Sequence, residues 1–166
     1  MAYGLAGGET VTVPVLRYKR APEGSPDSYV LTDDASFIWS NPPDWVWSIV
    51  SRMNIRLPSG FVAAGYNAAM EREITVCVFE GYFFGVSVAP DGDRVTPDAC
   101  LHDWLYENAK ELASYWSCKE SDVLAIADHW FLALMRFSGF SFKRTYFIGV
   151  RLFGRLFHSL FGKDKT

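Results

Sequence analysis

The sequence is poor in the residues and motifs that identify many enzymes directly. It has three histidines, His102, His129 and His158, and three cysteines that lack the paired spacing of a zinc site. It has no glycine-flanked nucleophilic serine and no phosphate-binding G-x-x-x-x-G-K motif. No histidine precedes His102-Asp103, as a metal-dependent His-Asp phosphohydrolase would require. These absences argue against a zinc site, a serine hydrolase, a nucleotide-binding loop and that phosphohydrolase class.

Long apolar runs are also missing. No stretch reaches the roughly 18 uncharged apolar residues typical of a transmembrane helix, and the first residues lack the basic and apolar regions of a signal peptide. We therefore expect neither feature. The odd number of cysteines favours a reducing compartment, in which Cys77, Cys100 and Cys118 are small buried side chains.

The chain is rich in apolar residues, and its charge is unevenly distributed. Of its 166 residues, 49% are hydrophobic and 16% aromatic, which is enough for one domain, residues 1–166, with a substantial core. The net charge is −3, yet six of the sixteen basic residues and one of the nineteen acidic residues fall in residues 141–166. Residues 141–166 therefore carry a net charge of +5, and residues 1–140 carry a net charge of −8. Such a segment often meets an acidic partner or anionic lipid.

Short β-branched and aromatic runs in the first half predict strands. Residues 74–79 and 82–88 flank Glu80-Gly81 and predict a β-hairpin. Asp44, after Pro42-Pro43, predicts the first turn of a short helix. Three tryptophans in this half are expected to fill the core, with a binding surface as the alternative: Trp39, Trp45 and Trp47.

After Pro97 the hydrophobic period becomes that of helices. Leu101, Leu105, Leu112 and Trp116 recur at helical spacing behind Asp98, which is a suitable N-cap. A second helix opens at Ser121-Asp122 and ends at Ser138-Gly139, and a third covers about residues 141–160. The predicted class is α+β. It has a strand-rich N-terminal half with a β-hairpin, followed by three C-terminal helices, two of them an antiparallel pair.

The segment CLHDWLYENA, residues 100–109, carries the candidate site. His102 and Tyr106 are four residues apart and share a helix face, whereas Asp103 points about 100° away. If the two helices pack antiparallel across residues 117–121, Asp128 comes near His102. A histidine with a carboxylate on one nitrogen can take a proton from water, because the carboxylate fixes its tautomer and stabilises the imidazolium. Asp103 is placed to hold a hard cation such as Ca²⁺, which prefers oxygen ligands.

This pattern resembles the catalytic helix pair of phospholipase A2 enzymes, especially the small prokaryotic kind. The residues that carry the resemblance are His102-Asp103-x-x-Tyr106 followed by Ala127-Asp128-x-x-Phe131. The resemblance implies that His102 is the general base, that Asp103 binds calcium, and that Tyr106 and Asp128 support the histidine. The family's glycine-rich calcium loop has no clear counterpart here, and Asp91-Gly92-Asp93 is a weak stand-in.

A second resemblance spans most of the chain, from Thr32 to Gly154. The order of TDDAS at 32–36, a Trp/Pro-rich segment, HDWLY, ADHWFLAL and VRLFG is similar to a family of unknown function found in tailed phages and prophages. Where that family has Ser-Ile-Pro, this chain has Ser36-Phe37-Ile38. The resemblance implies a phage-encoded protein of the host cytoplasm or virion, without implying an activity. It adds Asp33 and Ser36 as polar residues to consider near the histidine.

The basic C-terminal segment predicts a binding surface. Arg151 and Arg155 fall on one helical stripe, and Phe153 and Phe157 lie among the apolar residues that cover most of the rest. This pattern suits an interfacial helix on anionic lipid. It suits equally a helix buried in the domain or against a neighbouring subunit. The candidate lipid- or partner-binding residues are therefore Arg151, Arg155, Phe153 and Phe157.

The sequence supports two hypotheses of function. The first is a phage-encoded, phospholipase A2-like hydrolase, or a degenerate relative, with His102, Asp128 and Tyr106 as catalytic residues and calcium at Asp103 as its one cofactor. The second is a non-enzymatic phage structural or accessory protein, whose helix pair is a scaffold and whose C-terminal helix meets another phage protein. Anionic lipid or a phage protein is the expected partner, and nucleic acid is not. In the scaffold hypothesis His102 simply holds two helices in register.

Overall fold

The computed structural model describes residues 2–4, 8–25, 29–50, 54–85 and 97–137. The described strands are β1 (Ala2–Gly4), β2 (Thr10–Thr12), β3 (Tyr18–Arg20), β4 (Tyr29–Leu31), β5 (Ala35–Ser40), β6 (Asn54–Leu57), β7 (Gly60–Tyr66), β8 (Arg72–Val78) and β9 (Phe83–Phe84). The described helices are α1 (Asp44–Val50), α2 (Pro97–Glu107), α3 (Ala109–Trp116) and α4 (Glu120–Phe137). This arrangement confirms the predicted α+β class. The helix predicted for residues 141–160 lies outside the described residues, together with Arg151, Phe153, Arg155 and Phe157.

The described strands form two antiparallel sheets. The larger has six strands in the order β1-β2-β5-β8-β7-β6, and the smaller has three in the order β3-β4-β9. Alternate residues on the central strands of the larger sheet are buried, among them Phe37 and Trp39 on β5 and Ile74 and Val76 on β8. This period of two is that of an antiparallel sheet with one face on the core.

The predicted hairpin of residues 74–79 and 82–88 is wrong in its pairing. β8 pairs with β5 and β7 in the larger sheet, whereas β9 pairs with β4 in the smaller one. At the turn between them, Gly81 donates its N–H to the carbonyl of Leu31, and Leu31 donates its N–H to the carbonyl of Tyr82. These bonds lead the chain out of one sheet and into the other. Hairpins are present instead between β6 and β7 and between β7 and β8.

Helix α1 begins at Asp44 directly after the two prolines, as predicted. The core placement of two of the three tryptophans is also confirmed, because Trp39 is 1% and Trp47 is 8% exposed. Trp45 differs, since it is 37% exposed and packs edge-on against the ring of His129.

The helix predicted to run from Asp98 to Trp116 is divided into α2 and α3. Asn108 lies at the division, and its side-chain amide donates to the backbone carbonyl of Trp104 at 2.8 Å. Such side-chain bonds to the backbone compete with the regular helical pattern. Helix α3 is capped at its C-terminus by Ser117, which has the left-handed conformation with φ 53°, and α4 begins at Glu120.

Trp104 docks α2 on the larger sheet. Its indole is fully buried, and Nε1 donates to the backbone carbonyl of Ser59 at 3.2 Å and to the Ser59 hydroxyl at 2.9 Å. The ring lies over Gly60, where an added Cβ would sit 2.9 Å from the indole and clash with the carbonyl oxygen of Cys77. The close approach of helix and strand therefore needs glycine at this position.

Helix α4 packs against α2 and against the larger sheet. Its Trp130 packs against Trp39 of β5, with ring centroids 5.1 Å apart. Along the α2–α4 contact, His102 meets Phe131 while Tyr106, one turn later, meets Asp128, so the two helices run antiparallel. Within the described residues, no helix is both long enough and apolar enough to cross a membrane.

Candidate active site

Helix α2 presents polar side chains on two of its faces. His102 and Tyr106 are one turn apart and both point at α4, because residues at i and i+4 share a face. Asp103 and Glu107 are the corresponding pair on the neighbouring face, where they contact Gly85 and Tyr82. The docking of Trp104 sets the rotation of the helix and therefore the direction of both pairs.

The predicted approach of Asp128 to His102 is present in the structure. Asp128 Oδ1 lies 3.5 Å from Nε2 of His102 and accepts a hydrogen bond from the Tyr106 hydroxyl at 2.6 Å. The side chain of Asp128 is fully buried, whereas that of His102 is 13% exposed. The His102 ring is held between two aromatic rings, with centroids 4.2 Å from that of Tyr106 and 4.9 Å from that of Phe131.

Two atoms of this cluster are buried without a hydrogen bond among the described residues. They are Nε2 of His102 and Oδ2 of Asp128. The separation of 3.5 Å between His102 and Asp128 exceeds the length of an ordinary hydrogen bond. Because buried polar atoms are nearly always hydrogen-bonded, such exceptions call for an explanation, and a catalytic role is one.

Asp103 connects α2 to the smaller sheet. Its Oδ2 accepts the N–H of Gly85, the residue after β9, at 3.0 Å. Its Oδ1 lies 3.8 Å from Nδ1 of His102, and the side chain is 37% exposed. The imidazole therefore has a buried carboxylate on one nitrogen and a partly exposed carboxylate on the other.

Opposing effects act on the pKa of His102. Burial lowers it, whereas interactions with the carboxylates of Asp103 and Asp128 raise it, and the net result is a pKa above the ordinary value of 6.5. The two carboxylates thus stabilise the imidazolium more than burial destabilises it. The imidazole therefore binds its proton more strongly than an ordinary histidine does.

Cys100 lies two residues before His102 and does not have the properties of a nucleophile. Its thiol is buried, and burial together with the charge of Asp103 raises its pKa above the ordinary range. A cysteine of this kind stays protonated at neutral pH. Cys77 is also buried, and Cys118 is half-buried. All three thiols are free.

The described residues around Asp103 do not by themselves fit a calcium ion. Calcium takes about six to eight oxygen ligands, and no group of three or more His, Cys, Asp or Glu side chains in the described part of the chain is placed to hold a metal. Asp91 and Asp93, the stand-in for the family's calcium loop, lie outside the described residues. Calcium binding at Asp103 therefore stays a prediction.

Asp33 and Ser36 are the other candidate residues in the described part of the chain. Asp33 forms an exposed ion pair with Arg17 at 3.5 Å, and Ser36 lies on β5 opposite Cys77. Among the described residues, no hydrogen bond or ion pair joins either side chain to His102. The structure instead adds Gly85 to the site, a contact that depends on sheet pairing and left no signal in the sequence.

Searches against protein-family models, curated proteins and solved structures found no match to this chain. The resemblances to phospholipase A2 and to the phage family therefore stay predictions. Structural support for a function comes from the geometry of the described residues alone.

Proposed function

We propose that the chain is a phage-encoded, phospholipase A2-like hydrolase in which His102 takes a proton from water. The observation that carries the proposal is the position of the imidazole between the buried carboxylate of Asp128 and the partly exposed carboxylate of Asp103. Its side chain keeps 13% exposure, so the ring lies at the boundary between the core and the surface.

In the proposed reaction, Nδ1 of His102 accepts one proton from water while the water oxygen bonds to the carbonyl carbon of an ester. The carbonyl oxygen takes up the displaced electron pair. When this adduct collapses, the bond to the alcohol oxygen breaks, and the imidazolium returns the proton to the leaving alkoxide. One ester and one water thus give one fatty acid and one alcohol.

Asp128 and Tyr106 act as positioning residues in this scheme. The carboxylate of Asp128 faces Nε2, so it favours the tautomer with the proton on that nitrogen and leaves Nδ1 as the base. The hydroxyl of Tyr106 holds Asp128 in place at 2.6 Å. A buried carboxylate stabilises the imidazolium that forms during the reaction.

The long contact between His102 and Asp128 bears on both hypotheses. Tyr106 makes the hydrogen bond between α2 and α4, whereas Nε2 of His102 has no hydrogen bond of ordinary length among the described residues. Catalytic hydrogen bonds are often long before the substrate binds, whereas a histidine that only joins two helices is expected to satisfy its buried nitrogen. The choice of a phospholipid ester, and of a phage as source, is supported by the two sequence resemblances.

The proposal is tested by fatty-acid release from a soluble short-chain phospholipid and from anionic vesicles, each with calcium and with a chelator. Wild type is compared with His102→Gln and, as the matched control, His129→Gln, because His129 lies on α4 against Trp45. We expect release that falls by about 10²- to 10⁴-fold in His102→Gln and persists in His129→Gln. No release by folded wild type in any condition would contradict the proposal and favour the scaffold hypothesis. The chelator arm tests calcium separately.

A further inference from the structure

An open groove lies at one end of the larger sheet, where β2 and β8 begin and β5 and β7 end. The strand register pairs Ser40 with both Thr10 and Glu73, and it pairs Tyr66 with Arg72, so these four strand ends meet. The groove has a volume of about 780 Å³. We name it the acidic groove, and the residues that line it are Glu9, residues 41–43, Asp44, Tyr66, Met70, Glu71 and Arg72.

The acidic groove carries a net negative charge. It is lined by three carboxylates and one cation, Arg72, which forms an ion pair with Asp44. The other two carboxylates accept hydrogen bonds from neutral donors, Glu9 from an indole at 2.7 Å and Glu71 from a side-chain amide at 3.0 Å. Among the described residues, no ion pair involves Glu9 or Glu71. These two carboxylates are therefore held in place without a positive partner in that part of the chain.

Two large apolar side chains are exposed in the acidic groove. Tyr66 is 53% and Met70 is 77% exposed. Tyr66 packs edge-on against the ring of Trp47, with centroids 5.5 Å apart, and the guanidinium of Arg72 lies 5.7 Å from the centroid of the same ring. A partner that fits this groove therefore combines positive charge with aromatic or apolar side chains.

The basic C-terminal segment, residues 141–166, has this composition. It contains six basic residues, one acidic residue and six aromatic residues. Its first cations are Lys143 and Arg144. The segment lies outside the described residues, so its fit to the groove is argued from charge and from the length of the chain.

The chain is long enough to bring Lys143 to the acidic groove. His129 of α4 packs against Trp45, the neighbour of Asp44, with ring centroids 5.0 Å apart, so the middle of α4 lies close to the groove. From His129 to Phe137 the helix advances by about 12 Å. The six residues from Phe137 to Lys143 span up to about 20 Å when extended, which is enough to return over that distance.

We infer that the acidic groove binds the basic C-terminal segment of its own chain, with Lys143 and Arg144 at the carboxylates of Glu9 and Glu71. Exposed ion pairs are individually weak. A segment on the same chain nevertheless has a high effective concentration at the groove, so a few such contacts are enough to hold it. The inference rests on charge and chain length, and it does not depend on the proposed function.

The first test is carbodiimide cross-linking of the full wild-type chain, followed by mass spectrometry of the monomeric fraction. This reagent joins a carboxylate to a lysine amine only when the two are in direct contact. We expect cross-links from Glu9 or Glu71 to Lys143 that disappear at high salt, because salt screens exposed charges. Glu80 and Glu111, two exposed carboxylates elsewhere, are the internal controls.

The second test is the rate of trypsin cleavage after Arg151 and Arg155 in the full chain. The variants are Glu9→Gln/Glu71→Gln in the groove, Lys143→Gln/Arg144→Gln in the segment, and the charge-matched control Glu80→Gln/Glu111→Gln. We expect cleavage to be roughly 3- to 10-fold faster in the groove and segment variants, as for the loss of two exposed ion pairs. The control should match wild type, and combining the first two variants should add little, because both remove the same contact.

Several results would overturn the inference. These are cross-links of Lys143 to Glu80 or Glu111 in place of the groove, the absence of any cross-link from the groove to Lys143, and equal cleavage rates in the groove variant and its control. Cross-links found only in dimers would assign the groove to the segment of a neighbouring copy instead. The segment variant leaves every described residue unchanged, so its result stands even if the groove variant is poorly folded.

Discussion

Tyr106 donates its hydroxyl hydrogen bond to Oδ1 of Asp128 at 2.6 Å, and the same oxygen lies 3.5 Å from Nε2 of His102. One fully buried carboxylate on α4 thus contacts two side chains that are a turn apart on α2. This relationship joins the packing of the two helices to the chemistry of the histidine. Each member of the cluster therefore has a predictable effect on stability or on proton transfer.

Removal of the Tyr106 hydroxyl should destabilise the fold. In Tyr106→Phe, the buried carboxylate of Asp128 loses its short hydrogen bond, and hydrogen bonds to charged groups contribute about 1.5–3 kcal/mol. We expect the free energy of unfolding, measured by chemical denaturation, to fall by about that amount. Tyr115→Phe is the control, because Tyr115 on α3 is 47% exposed. Equal stability of the two variants would contradict the prediction.

The stability of the protein should depend on the protonation of His102. Its pKa in the folded protein is raised by Asp103 and Asp128 against the opposing effect of burial, with 6.5 as the ordinary value. The contribution of protonated His102 to the free energy of unfolding is therefore fully present below about pH 6.5, and it is lost as the pH rises through the pKa of His102 in the folded protein. We expect the difference in unfolding free energy between wild type and His102→Gln to decrease from pH 5.5 to pH 8. A difference that grows over this range would mean that burial outweighs the two carboxylates.

The contact between the Trp104 indole and Gly60 should not tolerate a larger residue at position 60. In Gly60→Ala, the new methyl group would clash with the carbonyl of Cys77 and press on the indole of Trp104. Overpacking of this kind costs about 1–3 kcal/mol, so we expect a clear loss in thermal unfolding temperature. Gly65→Ala on the same strand is the matched control, because nothing lies within 4 Å of the added Cβ. If both variants melt alike, Trp104 does not pack on Gly60 as described.

Much of the helical half can be predicted from the sequence because its signals are local. The spacing of Leu101, Leu105 and Leu112 identifies helices, and the short connection before α4 implies that Asp128 approaches His102. The division at Asn108 is not predictable in this way, because the apolar spacing continues across it from Leu105 to Leu112. The bond from the Asn108 side chain to the carbonyl of Trp104 leaves no mark on that spacing.

The sheet half is less predictable because strand pairing depends on distant residues. The run before Glu80-Gly81 correctly predicts a strand, and the run after it contains the short strand β9, with residues 86–88 outside the described residues. The partners of these strands are distant in sequence, since Phe84 pairs with Tyr29 and Val78 pairs with Ala35 and Gly60. The same pairing brings Gly85 to Asp103, so this part of the site cannot be found from sequence spacing. Local alternation defines a strand but does not choose its partner.

The most direct test of the central claim, that His102 and Asp128 act as one unit in ester hydrolysis, is a double-mutant cycle on the rate of fatty-acid release. We predict a loss of about 10²- to 10⁴-fold in His102→Gln and a smaller loss in Asp128→Asn. We also predict no further loss when the two are combined, because Asp128 then has no base left to orient. Losses that multiply in the double variant would contradict the claim, and so would the absence of release by wild type.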